Sequence, residues 1–275
     1  MTPTNSLVFV HAHPDDESLF GAGAARHYAD AGARVTLVTC TLGQLGLDQE
    51  ARPGEAPDHD DLTTAATRAG ELVRAARLLG FSRTINLGYL DSGMAGWPQN
   101  EDPRAFVNAD VSSCARVLAA VFDEVGARVV VTYDENGFYG HPDHVAANVV
   151  TRRAVELSAS VERLYYPVVP REVLADFVEG ARALGVYLPA WVVEAGTHVP
   201  RSLVNATLDV RALAAVKQRA MATHASQVDN GDLVEMRADL FSLLFGTEYF
   251  QRAWSRSPVG EGADETDLFG GLTWD

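Results

Sequence analysis

Residues 7–17 read LVFVHAHPDDE, and this stretch decides both the fold and the place of the site. Its four leading apolar residues predict a short buried strand, which ends in a run of ionisable side chains. Ligands bind at the carboxyl ends of strands in open α/β sheets, so this run predicts a functional loop. His13 and Asp16 are three residues apart, so a tight turn can aim both at one point, and their donor atoms suit Zn²⁺. Asp15 lies between them and is expected to point elsewhere and to stay free as a base.

A second polar segment follows a second apolar strand. Residues 128–133 read RVVVTY, which is typical of a parallel strand buried on both faces. Residues 133–144 then read YDENGFYGHPDH, so polar side chains again crowd the carboxyl end of a strand. His141 and His144 are three residues apart, and one of them can ligate a metal while the other remains available for proton transfer.

The two segments together predict a metal site. His13, Asp16 and His144 make a set of two histidines and one carboxylate. Three protein ligands leave a position open for water, which is the arrangement of a catalytic rather than a structural zinc site. We therefore expect one divalent ion per chain, either Zn²⁺ or Fe²⁺.

The rest of the chain alternates short apolar runs with helical patterns. This alternation predicts βαβ units and hence an α/β fold, a Rossmann-like, doubly wound and mostly parallel sheet with a less regular C-terminal half. We expect a single domain over residues 1–275, with a core over 1–160 and a C-terminal extension, 161–275, that completes the site. The predicted strands are 7–10, 34–40, 84–87, 128–133, 164–169 and 191–194, and the predicted helices are 19–31, 62–79, 111–125, 145–159, 171–184, 210–223 and 233–245.

Charge and cysteine content exclude several classes of function. The 275 residues include 22 Lys and Arg against 37 Asp and Glu, a net charge of −15. Nucleic acids and anionic membranes attract basic faces, so neither is an expected partner. No apolar run approaches the ~20 residues of a membrane span. Cys40 and Cys114 cannot build a disulfide framework, and they indicate a reducing cytoplasm.

Two acidic segments, residues 48–61 and the residues after Pro258, predict solvated surface. The first of them is also long enough to form the rim of an active site.

The two histidine motifs resemble those of the LmbE-like, or GlcNAc-phosphatidylinositol de-N-acetylase, superfamily. Within it the chain is most similar to the deacetylases of mycothiol biosynthesis, which act on N-acetylglucosaminyl-inositol. The closer similarity rests on several segments, which are VHAHPDDES (10–18), TCTLG (39–43), RAGEL (68–72), DSGMAG (91–96), VVVTYDENGFYGHPDH (129–144) and ETDLFGGL (265–272).

The resemblance implies a Rossmann-like, zinc-dependent amide hydrolase whose partner is a small-molecule GlcNAc glycoside. It gives the metal to His13, Asp16 and His144 and the role of general base to Asp15. It implies that His141 is an imidazolium that stabilises the oxyanion or donates a proton, and that Asp143 orients His141. Tyr139 would be a mobile tyrosine of the site. Arg68 and Asp91 would contact the sugar, and Met94 would line the acetyl pocket.

One departure from the family pattern concerns the group attached to the sugar. Many members carry Gly-Glu-x-Gly after the second strand, whereas residues 43–46 of this chain read GQLG. Because Gln44 and Leu45 carry no charge, we expect this chain to bind that group less tightly than members with the glutamate do. The alternative functions are a mycothiol S-conjugate amidase or a deacetylase of another GlcNAc-containing metabolite. A binding module without catalysis is disfavoured by the complete set of aspartates and histidines.

Overall fold

The structure, a computed structural model, describes residues 5–183, 186, 198–258 and 265–272, and one mixed sheet runs through them. Five parallel strands stand in the order β3-β2-β1-β4-β5, which confirms the predicted doubly wound, mostly parallel sheet. Their bounds are β1 Ser6–His11, β2 Arg34–Thr39, β3 Arg83–Asn86, β4 Val129–Val131 and β5 Arg163–Pro170.

Helices cover both faces of the sheet, so the central strand β1 is wholly buried. Val8 and Val10 point to the face covered by α4 and α6, whereas Leu7 and Phe9 point to the face covered by α2 and α3. Successive side chains of a strand alternate between faces, so a continuous apolar run fills two cores at once. The helices of this half are α1 Asp16–Leu19, α2 Ala22–Asp30, α3 Asp61–Leu79, α4 Val111–Val125, α5 Gly137–Gly140 and α6 Pro142–Leu157.

Local capping signals set the ends of the longer helices. The Asp110 side chain accepts a hydrogen bond from the Ser113 N–H at the start of α4, and Gly126 ends it with φ 63°. Such caps satisfy backbone groups that a helix end leaves unpaired. Gly21, with φ 86°, separates α1 from α2, where the sequence predicted one helix. A side chain at Gly21 would collide with Phe9, so this glycine serves helix–sheet packing.

The C-terminal half extends the same sheet with antiparallel strands. The strand β8 pairs with β5 on one side and with β7 on the other, and the short β6 pairs with β5. Neither β7 nor β8 was predicted, and the predicted helix 233–245 is split in two. The predicted strand 191–194 lies outside the described residues. The bounds here are α7 Arg171–Ala183, β6 His198–Val199, β7 Ala206–Asp209, α8 Ala214–Ala222, α9 Gly231–Val234, α10 Ala238–Phe245 and β8 Thr247–Ser255.

A buried carboxylate on β8 connects this half to the core. Glu248 accepts hydrogen bonds from the N–H groups of Gly23 and Ala24, each at 2.8 Å, at the start of α2. The ammonium group of Lys217 donates to the same carboxylate at 2.7 Å. An anion at a helix N-terminus is stabilised by the free N–H groups there, so Glu248 holds β8, α2 and α8 together.

The described part of the C-terminal acidic segment, residues 265–272, is in large part paired or buried and not the solvated surface predicted from its charge. Glu265 accepts hydrogen bonds from Arg252 and from the Tyr165 hydroxyl, each at 2.7 Å. Leu268 and Phe269, which follow it, are fully buried in the core on the α2 and α3 side.

The acidic segment 48–61 is partly buried and partly exposed, since Asp48 is buried against Arg52 while Asp58 is exposed. Within the described residues, no helix has the length and apolar character needed to cross a membrane.

Candidate active site

The two predicted loops meet at the carboxyl ends of β1 and β4, which are neighbours in the sheet. Chain connections leave β1 and β4 in opposite directions, and ligands of doubly wound folds bind at such a switch point. The His13 ring lies 4.5 Å from the His141 ring and 5.2 Å from the His144 ring, centroid to centroid. The fold therefore brings both histidine motifs to one point, as their positions after two strands predict.

Two imidazole nitrogens and the two oxygens of the Asp16 carboxylate converge at this point. His13 Nδ1 lies 3.3 Å from His144 Nε2 and 3.5 Å from Asp16 Oδ2, and His144 Nε2 lies 3.4 Å from Asp16 Oδ1. Tetrahedral ligands at Zn²⁺ distances lie roughly 3.4 Å apart. The set therefore fits a small divalent ion.

Two groups of three residues in the described part of the chain have donor atoms that all lie within 4.8 Å of one another. One joins His13 and His144 to His141, and the other joins His13 to Asp91 and Asp143. The second group includes a carboxylate that already binds Ser92, as described below. Asp16 stays the predicted third ligand, since its oxygens lie 3.5 Å from His13 Nδ1 and 3.4 Å from His144 Nε2.

Hydrogen bonds to the far sides of both rings fix their tautomers. His144 Nδ1 donates to the Gly137 carbonyl oxygen at 3.1 Å, and His13 Nε2 donates to Asp143 Oδ2 at 3.2 Å. Each ring then directs the lone pair of its other nitrogen into the site, as metal-binding histidines do. Two lone pairs at 3.3 Å repel each other unless a cation or a proton lies between them.

The charge around this point also favours a cation. Burial opposes a charge on His13, but the neighbouring carboxylates of Asp91, Asp143 and Asp16 outweigh it and raise the His13 pKa well above its usual value. Burial likewise opposes ionisation of Asp16, yet His144 and His13 bring the Asp16 pKa well below its usual value. The site thus holds carboxylates in their charged form around a position that accepts positive charge.

Asp143 supports His13 and not His141, contrary to the expectation from the resemblance. Its carboxylate accepts the Ser92 N–H at 2.9 Å and the Ser92 hydroxyl, in addition to the bond from His13. His141 is reached only by the backbone of Asp143, whose N–H donates to His141 Nδ1 at 3.1 Å. The proton of a neutral His141 ring therefore lies on Nε2.

The surroundings of His141 oppose the expected imidazolium form. Burial, together with the charges of His13 and His144, lowers the His141 pKa to about 3. These surroundings favour the neutral ring, which offers one N–H that can donate to an oxyanion.

Asp15 occupies an unusual backbone position. Its φ is 105°, a region that residues with a side chain rarely adopt and that is found at functional sites. Its N–H donates to Glu17 Oε2 at 2.9 Å, and Arg68 Nη2 lies 3.1 Å from its Oδ2. Burial raises the Asp15 pKa to about 6 although Arg68 opposes the shift, which suits a group that must accept a proton near neutral pH.

The residues expected to bind the sugar lie at the site, but their polar atoms are largely engaged by the chain. Arg68 donates to the carbonyl oxygens of Gly43 at 2.7 Å and Pro14 at 2.5 Å. Asp91 Oδ1 accepts the Gly93 N–H at 2.9 Å and lies 3.6 Å from His13 Nε2.

The two remaining predicted residues, Met94 and Tyr139, are exposed. Met94 lies in the loop after β3 with 39% of its surface exposed. Tyr139 is 51% exposed, and its ring lies 5.0 Å from the His144 ring. Tyr139 therefore borders the metal set on its solvent side.

Sequence reasoning missed three residues that hold the site. Tyr133 lies in the motif of residues 129–144, and Ser92 lies in the motif of residues 91–96. Their position next to a strand end could have indicated that they belong to the site. His224 carries no such signal, and its surroundings were interpreted as unremarkable. The structure buries it completely against Glu17, with 2.6 Å between His224 Nε2 and Glu17 Oε1.

Comparisons with known proteins agree with this geometry. The sequence profile of the family described as GlcNAc-PI de-N-acetylase matches residues 8–155. The chain is 40% identical, over 295 residues, to the 1D-myo-inositol 2-acetamido-2-deoxy-alpha-D-glucopyranoside deacetylase of Geodermatophilus obscurus, and the alignment covers 99% of each chain.

Solved structures with the same fold include different enzymes. The N,N'-diacetylchitobiose deacetylase of Pyrococcus horikoshii matches with a TM-score of 0.56 and 19% identity, over 98% of this chain and 87% of that one. A 4-carboxy-2-hydroxymuconate hydratase of Pseudomonas putida matches with a TM-score of 0.59 and 16% identity, over 93% of this chain and 99% of that one. One fold supports several reactions, so these likenesses speak for the fold alone.

Proposed function

The chain belongs to the GlcNAc-PI de-N-acetylase family and is an amide hydrolase, and from this premise we propose that it is a metal-dependent deacetylase of N-acetylglucosaminyl-inositol, acting in mycothiol biosynthesis. The observation that carries the proposal is the convergence of His13 Nδ1, His144 Nε2 and the Asp16 carboxylate, with Asp15 next to Asp16 in the chain. A full-length relative with that printed activity supports the choice of substrate.

The metal set supplies the electrophilic part of the chemistry. A divalent ion held by His13, Asp16 and His144 would polarise the acetamide carbonyl and lower the pKa of a bound water to about 7. We take this ion to be Zn²⁺ or Fe²⁺, one per chain, because two imidazoles and one carboxylate suit both.

Asp15 performs the proton transfers. Its carboxylate accepts a proton from the attacking water as the water oxygen bonds to the acetamide carbon. The C–N bond then breaks, and the protonated Asp15 returns that proton to the leaving nitrogen, so that a free amine and acetic acid form. The acetic acid loses the second proton of the water to solvent and leaves as acetate. A single group serves both steps because its pKa of about 6 lies close to neutral pH.

His141 and Tyr139 stabilise the charge that develops on the acetamide oxygen. The neutral His141 ring donates its Nε2–H, and we assign a second donor role to the Tyr139 hydroxyl, because the Tyr139 ring lies 5.0 Å from the His144 ring. Arg68 acts mainly on Asp15, while Asp91 retains acceptor capacity towards sugar hydroxyls. His224, in the C-terminal half, supports the loop of Asp15 through Glu17, so that half takes part in building the site.

The test is a deacetylation assay with purified protein and synthetic N-acetylglucosaminyl-inositol. The protein is stripped with a chelator and reloaded with Zn²⁺ or Fe²⁺, and free amine and acetate are quantified together. We expect both products in equal amounts, only after reloading. A mycothiol S-conjugate serves as the competing substrate. Faster cleavage of that conjugate would assign the amidase function, and absence of amine from either substrate would refute the proposal.

A further inference from the structure

Tyr133 contacts two of the three proposed metal ligands at once. Its hydroxyl donates to Asp16 Oδ2 at 2.6 Å and accepts the Ala12 N–H at 2.8 Å. Its ring stacks on the His144 imidazole, with centroids 4.0 Å apart and an angle of 11° between the planes. The side chain is buried and belongs to none of the catalytic roles described above.

The hydrogen bonds around Asp16 distinguish its two oxygens. Oδ2 accepts both the Tyr133 hydroxyl and the His13 backbone N–H, the latter at 2.9 Å. Oδ1 lies 3.4 Å from His144 Nε2, and Oδ2 lies 3.5 Å from His13 Nδ1, but only Oδ2 is engaged by these two hydrogen bonds. Since the Tyr133 hydroxyl already accepts from Ala12, its own proton is directed to Oδ2.

We propose that Tyr133 is a positioning residue that makes Asp16 bind the metal through Oδ1 alone and holds the His144 ring in its ligating orientation. A carboxylate that binds through one oxygen occupies one coordination position, which keeps another open for water and substrate. Outer hydrogen-bond partners of metal ligands typically change metal affinity about 10–100-fold when they are removed. The inference rests on the proposed metal site.

The test compares Tyr133→Phe with a matched control, Tyr28→Phe. The Tyr28 hydroxyl is buried on the other face of the sheet, donates to Asp267 at 2.8 Å and accepts the Leu268 N–H at 2.6 Å. Each substitution thus removes one hydroxyl that joins a carboxylate to a backbone N–H. We expect a similar fall in melting temperature in both variants.

Metal binding separates the two variants. Competition with a chelator should give a Zn²⁺ Kd about 10–100-fold weaker for Tyr133→Phe and unchanged for Tyr28→Phe. In Co²⁺-loaded protein the visible absorption of Tyr133→Phe should weaken, because a second Asp16 oxygen raises the coordination number. The rise in melting temperature on adding Zn²⁺ gives a second measure of affinity. This measurement reports on the folded molecules alone, so it can be used even when part of a variant is unfolded.

Two outcomes would overturn the inference in distinguishable ways. If the wild-type protein binds neither Zn²⁺ nor Co²⁺, the metal site fails, and the proposed function fails with it. If the wild-type protein binds both ions and Tyr133→Phe matches it in Kd and in the Co²⁺ spectrum, the positioning role alone is wrong.

Discussion

Arg68 Nη2 lies 3.1 Å from Asp15 Oδ2, and both terminal nitrogens of the guanidinium also donate to carbonyl oxygens of the chain. Arg68, which was expected to bind the sugar, therefore forms an ion pair with the proposed base, Asp15. This contact couples the charge of Arg68 to the proton affinity of Asp15.

Arg68→Met should move the pH profile of the enzyme. Removing the guanidinium charge raises the pKa of Asp15, by about 1–3 units for a carboxylate beside an arginine. Asp15 is then protonated at a higher pH, so the acid limb of kcat/KM shifts upward. Arg68→Lys keeps the charge and should shift less. A larger KM with an unmoved acid limb would instead support the sugar-binding role.

Asp15→Asn should abolish proton transfer without loss of metal. We expect kcat to fall roughly 10²–10⁴-fold, the usual contribution of a general base. Asparagine tolerates positive φ better than alanine, so it is the matched replacement at φ 105°. Metal content is measured alongside rate, and a variant that is active but metal-free would show that Asp15 and Asp16 exchange roles.

The wild-type pH profile should report the same carboxylate. Because the Asp15 pKa is raised to about 6, the ionised base is lost as pH falls through that value. Below it, kcat/KM should drop about tenfold per pH unit. A bound cation can only lower this pKa, so an acid limb clearly above pH 6 in the metal-loaded enzyme contradicts the assignment.

Substitutions of different site residues should weaken metal binding to different extents. His13→Ala and His144→Ala each remove a ligand and should lose most bound metal, measured by elemental analysis. Asp143→Asn keeps the ligands but weakens the support of His13, and about 10–100-fold weaker binding is expected. Asp123→Asn is the control, because Asp123 likewise accepts a serine hydroxyl and a backbone N–H, but away from the site. Full metal content in both histidine variants would reject these ligands.

His224→Ala should destabilise the fold strongly. Neither His224 nor Glu17 has an exposed side chain, and leaving one partner of a buried pair alone costs about 3–5 kcal/mol. Burial opposes the charge of His224, but Glu17 outweighs it and raises the His224 pKa above its usual value.

The stabilisation from His224 is therefore fully present below about pH 6.5 and is lost as pH rises through the raised value. Urea unfolding at several pH values measures it, with His27→Ala on the exposed face of α2 as the control. Equal stability of the two variants at pH values near 6 would show that the pair contributes nothing.

Selectivity for the group beyond the sugar should be modest. Gln44 and Leu45 are buried, with 7% and 6% of their surface exposed, and neither presents a charge. We expect N-acetylglucosaminyl-inositol to exceed a methyl GlcNAc glycoside in kcat/KM by less than ~10³-fold, since one charge-assisted hydrogen bond contributes about 1.5–3 kcal/mol. Gln44→Glu should raise the ratio. A wild-type ratio far above that bound would mean that other residues grip the inositol.

The parallel half of the fold was predictable because its signals are local. The bounds of α4 were predicted without error, since Asp110 and Gly126 mark its ends in the sequence. Both histidine motifs were assigned to strand ends from their flanking apolar runs, and their use as metal ligands stays a prediction.

The remaining features depend on partners far away in the chain. The segment TEYFQRAWS forms β8 by pairing with β5 and β7, and it lacks the continuous apolar run that marked the parallel strands. Glu265 was assigned to solvent from local charge, but Tyr165, one of its partners, lies 100 residues away. His224 likewise meets Glu17 across 207 residues. No periodicity in a single sequence carries such information.

The burial of Leu268 and Phe269 against Leu7 and Phe9 has a consequence for synthesis in the cell. Translation delivers β1, α2 and α3 early, whereas Leu268 and Phe269, which belong to the same core cluster, emerge last. Folding of the nascent chain can begin with the N-terminal strands and helices, but this core stays incomplete until the C-terminal segment arrives. Nascent chains that stop before residue 265 are therefore expected to bind chaperones and to be degraded, even though every residue of the metal site has already been made.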